Sequence, residues 1–421
     1  MKYDIKQCIW SDTVLAQIQL PAGVMSLTQS LTSGLCRSPR DPEGVFWGVG
    51  DRGPNIKPKD AVHRYGLAQL RPLAGIDGAK IMPLPEAGPA MGRFRLTGDE
   101  IVLEEIVPLR AAAGRRLTGL PTPASPHAEF EPVFTLAGEP LAPDPNGADS
   151  EGIAAMPDGT FWIAEEYGPS LLRLDRSGTV LARLVPAGSE AHKAGTDYPV
   201  EPALPALASA RKLNRGFEAI AVSDDGASLF VAFQSPLAHP DREAHEGSSH
   251  IRIWRLDSAT GALVAEYVYP LDDPDSFQRD AAAGKVRRDD VKVSELVMLG
   301  DDTLLVLERI THSTKIYRVT LAPECAIRRS YSDPATRPTL EQMSRKDLIE
   351  AGVPLLDKTL ILSTDDCPEI CGDLEGMILL SPRALLLAND SDFGIEGAAT
   401  QFWRICFDED IFAPVRASGR A

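Results

Sequence analysis

Apolar and polar positions along the chain fall into a pattern that recurs four times. The segments DSEGIAAMPDGTFWIAEEYG, GFEAIAVSDDGASLFVAFQS, VSELVMLGDDTLLVLERIT and DLEGMILLSPRALLLANDSD each carry a glutamate near their start: Glu151, Glu218, Glu295 and Glu375. After it come a short apolar run, a turn, a second apolar run and a closing polar group. That group is Glu165 or Glu166, then Gln234, then Glu308, then Asn389 or Asp390. Short apolar runs bounded by Gly, Pro, Asp and Ser predict strands rather than helices. Pro157-Asp158-Gly159, Asp224-Asp225-Gly226 and, more loosely, Gly300-Asp301-Asp302 supply the hairpin turns, because Gly accepts positive φ without steric cost. Further strands follow each hairpin, over residues 171–186, 251–270, 316–322 and 402–408.

The glutamates recur 67, 77 and 80 residues apart, a repeat with variable insertions. Repeats built from short strands predict a closed all-β array: a β-propeller of about six blades, with five or seven also compatible, in a single domain over residues 1–421. The first repeat is degenerate. Ser33 or Gly34 stands where the glutamate would be, and the closing group is Asp51, followed by Arg52, Gly53, Pro54 and Asn55. Residues 80–109 are expected to supply strands of a further blade. Residues 7–20 are suited to pair with the last blade and close the ring, which removes sheet edges. Insertions are expected near 111–147, 187–213, 272–290 and 330–358. In the last of these, Ser344 and Gly352 bracket a short helix as N-cap and stop.

With 43% hydrophobic and 24% charged residues the chain has ordinary globular composition, so a large core is available. The net charge of −17 argues against nucleic-acid binding, where a basic face supplies most of the affinity, and against adsorption to anionic membrane. No stretch reaches the roughly 18 apolar residues of a membrane span. The N-terminus shows no apolar run with a small-residue cleavage site. As given, the chain reads as cytoplasmic, or as periplasmic or secreted if a leader has been removed. The six cysteines are too few and scattered for a disulfide scaffold. Cys367 and Cys371 are near enough to form a local bridge in an oxidising compartment, or to remain two free thiols.

In such an array, equivalent positions converge on the central axis. Four convergent carboxylates cannot all stay ionised without a cation, because like charges raise each other's pKa. Glu151, Glu218, Glu295 and Glu375 would form a ring of hard oxygen ligands. Calcium accepts six to eight such oxygens at about 2.3–2.6 Å in loose geometry, whereas magnesium demands stricter octahedral order. Asn55, Gln234 and Asn389 can add neutral oxygens, and no histidine recurs at an equivalent position, which disfavours zinc or iron. The alternative is that these glutamates cap strands or bond neighbouring amides. Basic residues flank the acids: Arg52 follows Asp51, Arg215 precedes Glu218, Arg309 follows Glu308, and Lys315 lies shortly after. Guanidinium groups match carboxylate and phosphate oxygens. Acids holding a cation beside arginines suit an anionic ester, although each arginine is equally suited to pair with its acidic neighbour. His239, His245 and His250 share a loop without metal-ligand spacing; His312, four residues after Glu308, is the better acid–base candidate. No GxSxG, GxGxxG or Walker A motif is present.

GVGDRGPN, DSEGIAAMPDGTFWIAEEYGPSLLRLDRSG, NRGFEAIAVSDDG and SELVMLGDDTLLVLER resemble the family described as "esterase-like activity of phytase", from about residue 30 to about residue 400. The resemblance implies a β-propeller with metal-dependent phosphoesterase or phytase-like activity, since related propeller phytases use calcium clustered by carboxylates at the channel mouth. It carries Asp51, Arg52, Asn55, Glu151, Glu165, Glu166, Tyr167, Glu218, Glu295, Glu308 and Glu375 onto the family's motif positions. The expected metal set is therefore Asp51, Asn55, Glu151, Glu165, Glu218, Glu295, Glu308 and Glu375, with Ca2+ preferred and Mg2+ possible. Arg52, Glu166, Arg309 and His312 are the catalytic candidates. The expected activity is hydrolysis of small anionic phosphate esters. The alternatives are a calcium-dependent lactonase or esterase on a non-phosphorylated substrate, and a ligand-binding propeller with structural calcium.

Overall fold

The computed structural model describes residues 2–123 and 130–412, so part of the expected 111–147 insertion lies outside the described residues. Five sheets of four or five strands, antiparallel except where Val180–Pro186 pairs in parallel with Val200–Leu204, make up most of the molecule. The first begins with Gly34–Cys36 and Val45–Val49 and continues through Ala90–Thr97 and Glu100–Pro108. The second begins at Ser150–Ala155, the third at Phe217–Val222, the fourth at Lys292–Gly300 and the fifth at Leu374–Ser381. These five leading strands touch one another in cyclic order, and the fifth returns to the first. Residues 80–109, expected to begin a separate blade, instead complete the first sheet, because Ala90–Thr97 pairs with Val45–Val49. Hence five large sheets are found where the sequence suggested about six.

The core is not central but divided among the five gaps between neighbouring sheets. Phe161, Leu172 and Val49 pack between the first and second sheets, and Phe217, Trp254 and Leu204 between the second and third. Phe230, Tyr267 and Leu304 fill the next gap, and Leu307, Leu387 and Ile405 the one after. Phe46 and Phe94 stack at 5.0 Å and meet Phe402 to seal the fifth sheet against the first. The second strand of each large sheet is buried on both faces, so its sequence reads as a continuous apolar run rather than an alternation.

The turns follow their chemistry: Gly159 and Gly226 have φ of +90° and +72°, and Asp301 and Asp302 both take positive φ at a two-residue hairpin turn. The N-terminal segment does close the last sheet, but by Tyr3–Gln7 against Phe402–Phe407. Val14–Leu20 forms its own hairpin with Gly23–Thr28. Of the insertions, 272–290 contains the helix Gln278–Ala283, and 187–213 contains short 3-10 turns and the strand Val200–Leu204. The helix Arg345–Glu350 lies within 330–358. Ser344 is its N-cap, donating from its hydroxyl to Asp347 and accepting from the Asp347 amide.

A candidate active site at a polar mouth

Each of the last four leading strands slips register near its start. The shifts fall between Ser150 and Gly152, Phe217 and Ala219, Val293 and Glu295, and Leu374 and Gly376. A bulge leaves one residue unpaired and re-aims its side chain. That residue is Glu151, Glu218 and Glu375 in three sheets, and all three line one cavity. In the fourth sheet it is Ser294, and the repeat is offset by one residue. Glu295 takes the slot held elsewhere by Gly152, Ala219 and Gly376.

That slot is narrow. A Cβ on Gly152 would lie 2.5 Å from the Glu218 carbonyl oxygen, and one on Gly376 2.6 Å from Leu35. Glu295 instead reaches across the ring, where its carboxylate accepts the Leu35 amide at 2.9 Å and the Leu296 amide at 3.1 Å. It is fully buried, and burial pushes its carboxyl well above the usual range. Expected as a metal ligand in the ring, Glu295 is a tie between sheets and does not line the cavity. Leu296, beside it, lines a separate cavity of about 230 Å³ at the opposite end of the leading strands.

The polar cavity measures about 200 Å³ and is lined only by charged and amide side chains. Besides the bulge glutamates it takes residues at or just beyond the ends of the second strands: Asp51, Glu166, Gln234, Arg309 and Asp390. Lys292 and Asp373 stand two residues before the bulge position, the short strand Lys80–Ile81 adds Lys80, and the connecting segments add Asn55, Asn214, Arg215 and Asp392. Arg52 also lines it. Eight carboxylates thus face five basic groups.

The carboxylates are densest between the first two sheets. Asp51, Asp149 and Glu151 bring oxygens within 4.8 Å of one another. Both Asp149 oxygens lack a hydrogen bond, although Oδ2 lies 2.5 Å from the Arg52 guanidinium; Glu166 Oε1 and Glu218 Oε2 are also buried without one. Burial, and then Asp149 beside it, pushes the Asp51 carboxyl well up. Burial would raise Asp149 too, but the neighbouring Arg52 guanidinium holds it low. Two carboxylates this close titrate as a pair rather than independently. Burial, then Asp51 and Glu218, drive Glu151 well up; burial, then Glu218 and Asp149, do the same to Glu166. Asp392 is raised to about 7 by burial and by Asp390.

The bases are held unequally. Arg52 is buried and bonds Glu131 and Asn214 as well as Asp149. Arg309 donates to Ser294 at 3.0 Å and to Asp373 at 2.9 Å, and also pairs with Glu375. Arg215 bonds Gln234, and Lys80 donates to Asn55 Oδ1 at 2.7 Å. Burial, then Arg309 and Arg215, lowers Lys292 to about 7.

The structure thus gathers Asp51, Arg52, Asn55, Glu151, Glu166, Glu218, Arg309 and Glu375 at one mouth. It places four other expected residues elsewhere. Glu165 is bound to Arg183 at 3.0 Å, Ser170 at 2.8 Å and the amides of Asp149 and Gly168, with no oxygen left for a metal. Glu308 is enclosed by Tyr269, Lys358 and the Asp272 amide at 2.6–2.7 Å. His312 is exposed outside the cavity, and Glu295 is the axial tie already described. Tyr167 backs the site through its hydroxyl, which accepts the Glu131 amide. Asn389, a neutral-oxygen candidate, spends its amide on Gln401, Asp390 and Ala399. Cys367 and Cys371 are free thiols. Asp149, Lys80, Lys292, Asp373 and Asp392 were not foreseen. For Asp149, Lys292 and Asp373 the signal was available, since residues two apart on a strand share a face.

The sequence matches the family described as "Phytase-like: Esterase-like activity of phytase" over residues 30–393. An uncharacterized secreted protein of Arthroderma benhamiae is 24% identical over 303 residues, covering 66% of this chain; the chain spans 57% of that relative's length. Among solved structures, the PQQ-bound aldose sugar dehydrogenase of Streptomyces coelicolor aligns with a TM-score of 0.33 at 10% identity, covering 96% of this chain and 98% of its own. The Malassezia sympodialis allergen Mala s 1 aligns with a TM-score of 0.37 at 9% identity, covering 94% and 84%. Likeness this distant says nothing of chemistry. Among the described residues no helix is long and apolar enough to cross a membrane.

Proposed function

Because the chain belongs to the esterase-like-activity-of-phytase family, we propose that its five sheets are the blades of a β-propeller and that the polar mouth hydrolyses phosphate esters with a divalent cation, calcium before magnesium. One observation carries this reading: Asp51, Asp149 and Glu151 converge beside a cavity that holds Arg52, Lys80 and Arg215, and Asp149 Oδ1, Glu166 Oε1 and Glu218 Oε2 are buried there without a partner. The donor set is all hard oxygen and fits calcium chemistry. Asp51, Asp149 and Glu151 would hold the ion, with Glu166 and Glu218 within the same cavity. When bound, such an ion polarises a phosphoryl oxygen and acidifies water.

The chain's own groups do the rest. Glu166, with one bare oxygen, is placed to take a proton from the attacking water. Arg52 is fixed by Glu131 and Asn214, so its charge is preorganised for an anionic transition state. The wholly polar lining leaves no surface for an aryl or acyl tail. A lactonase or esterase acting on a non-phosphorylated substrate is the second reading, favoured by the excess of eight acids over five bases, which repels a polyanion. A secreted relative and a site suited to calcium, which extracellular modules bind at about 10⁻⁴–10⁻³ M, favour an exported setting over the cytoplasm.

The test is hydrolysis of a chromogenic phosphomonoester and of a lactone, with calcium and after EDTA. Phosphomonoester hydrolysis restored by calcium, and lowered at least about 100-fold in Asp51→Asn and Glu151→Gln, is the expected result. Activity on the lactone alone would move the assignment to the second reading. A protein that binds no metal, is inactive on both substrates and is indifferent to both substitutions would leave the acids structural.

A further inference from the structure

Lys292 stands on the fourth sheet, across the ring from the seam between the first and second sheets where Asp51, Asp149 and Glu151 meet. Arg215 and Arg309 flank it in the same cavity. The three cations are answered unequally. Arg309 has Asp373 and Glu375, and Arg215 has the neutral Gln234. Lys292 has no side-chain hydrogen bond or ion pair among the described residues. Its backbone is fixed by pairing with Arg309, so the ammonium is held at the cavity by a strand rather than by a flexible loop.

An ammonium carries three donors and no acceptor. Set beside two guanidinium groups and bonded to none of the carboxylates, its donors are open to an anion, and charge-assisted bonds to oxyanions are the strong ones. The cavity's size limits that anion. Pockets for drug-sized ligands run from about 300 to 1,000 Å³, whereas this one is about 200 Å³. A single tetrahedral head with its first few attached atoms enters, and the remainder of the ligand stays outside.

We propose that Lys292, with Arg215, forms an oxyanion subsite facing the acidic wall, that it binds the terminal phosphoryl group of a monoester and equally inorganic phosphate, and that Lys292 determines the choice of dianionic over neutral esters. This rests on the hydrolase reading for the ester but not for phosphate itself. The ester lies with its phosphoryl head between the two walls, so Lys292 acts chiefly in binding.

The experiment is calorimetric titration of the calcium-loaded full chain with inorganic phosphate, for wild type, Lys292→Gln and Lys292→Arg, with thermal melts to establish that each variant is folded. Phosphate should bind wild type and Lys292→Arg within a few-fold of each other and Lys292→Gln at least about tenfold more weakly. KM for a phosphomonoester should rise in step while kcat changes less. Phosphate affinity equal in wild type and folded Lys292→Gln, or no phosphate binding at all, overturns the subsite. If Lys292→Gln does not fold, loss of phosphate binding in Lys292→Arg would overturn it instead, because the charge is kept. Phosphate bound through Lys292 by a protein that hydrolyses no ester would refute the hydrolase and keep the subsite. Hydrolysis indifferent to Lys292→Gln would do the reverse.

Discussion

Buried arginines and carboxylates occur in two settings in this molecule, and the same residue types end up in opposite conditions. In the scaffold, Arg252 makes a two-pronged pair with Glu341 at 2.7 and 3.0 Å and reaches Glu266 at 2.6 Å. Glu266 also takes Trp254 at 2.9 Å and Ser332 at 2.5 Å, so each of its oxygens is used. Arg183 and Glu165 are enclosed in the same way within the second sheet. At the mouth, Asp149, Glu166 and Glu218 keep bare oxygens under equal burial. Since an unpaired buried polar group is costly, a saturated network is explained by the fold alone, whereas an unsaturated one requires something the protein does not itself contain. Burial and charge do not tell structure from site; the count of unanswered oxygens does.

The contrast can be broken at four points. The largest effect is expected at Arg252→Leu, which leaves Glu266 and Glu341 buried and unpaired: a loss of about 3–5 kcal/mol in urea unfolding that calcium does not restore. Next is acid. Burial holds His250 down to about 4, whereas the unfolded imidazole titrates near 6.5. Between those values the unfolded chain binds more protons, so this contribution is complete above about pH 6.5 and is lost as pH falls toward 4. It amounts to about 3 kcal/mol at most, and His250→Gln should flatten that part of the pH–stability curve. Third, calcium at about 100 times its dissociation constant should add about 2.7 kcal/mol to wild type and nothing to Asp51→Asn. A calcium response preserved in Asp51→Asn would dissolve the distinction between the two settings. Smallest is Ser344→Ala, about 1 kcal/mol from a lost helix cap, with the calcium response intact.

Much of this was legible beforehand. The strands, their turns and the Ser344 cap follow from local chemistry, and Glu151, Glu218 and Glu375 share a cavity as their repeat implies. Glu295 was misplaced because a bulge is a matter of pairing, which apolar patterning does not encode. A trace was present: the other three glutamates are followed by Gly or Ala, but Glu295 by Leu. Glu165 and Glu308 were indistinguishable from Glu166 by type, because what removes them from the mouth is Arg183 in one case and Lys358 in the other, 18 and 50 residues away in the chain. The leaning toward six sheets, with five also compatible, has a similar cause: about 40 residues separate Val45–Val49 from its partner at Ala90–Thr97, and that detour resembles a new repeat.

The pairing of Tyr3–Gln7 with Phe402–Phe407 has a consequence for how the molecule comes into being. It joins the two most distant parts of the described chain, so by loop-closure entropy it is the costliest contact to make. Its two strands are also made about 400 residues apart. Until they meet, each leaves an edge of the last sheet unpaired, the kind of surface on which neighbouring nascent chains aggregate. The clasp is thus the molecule's point of greatest exposure during synthesis. A circular permutant that joins the two ends and opens the chain at the Pro157-Asp158-Gly159 turn would convert its slowest contact into a local one.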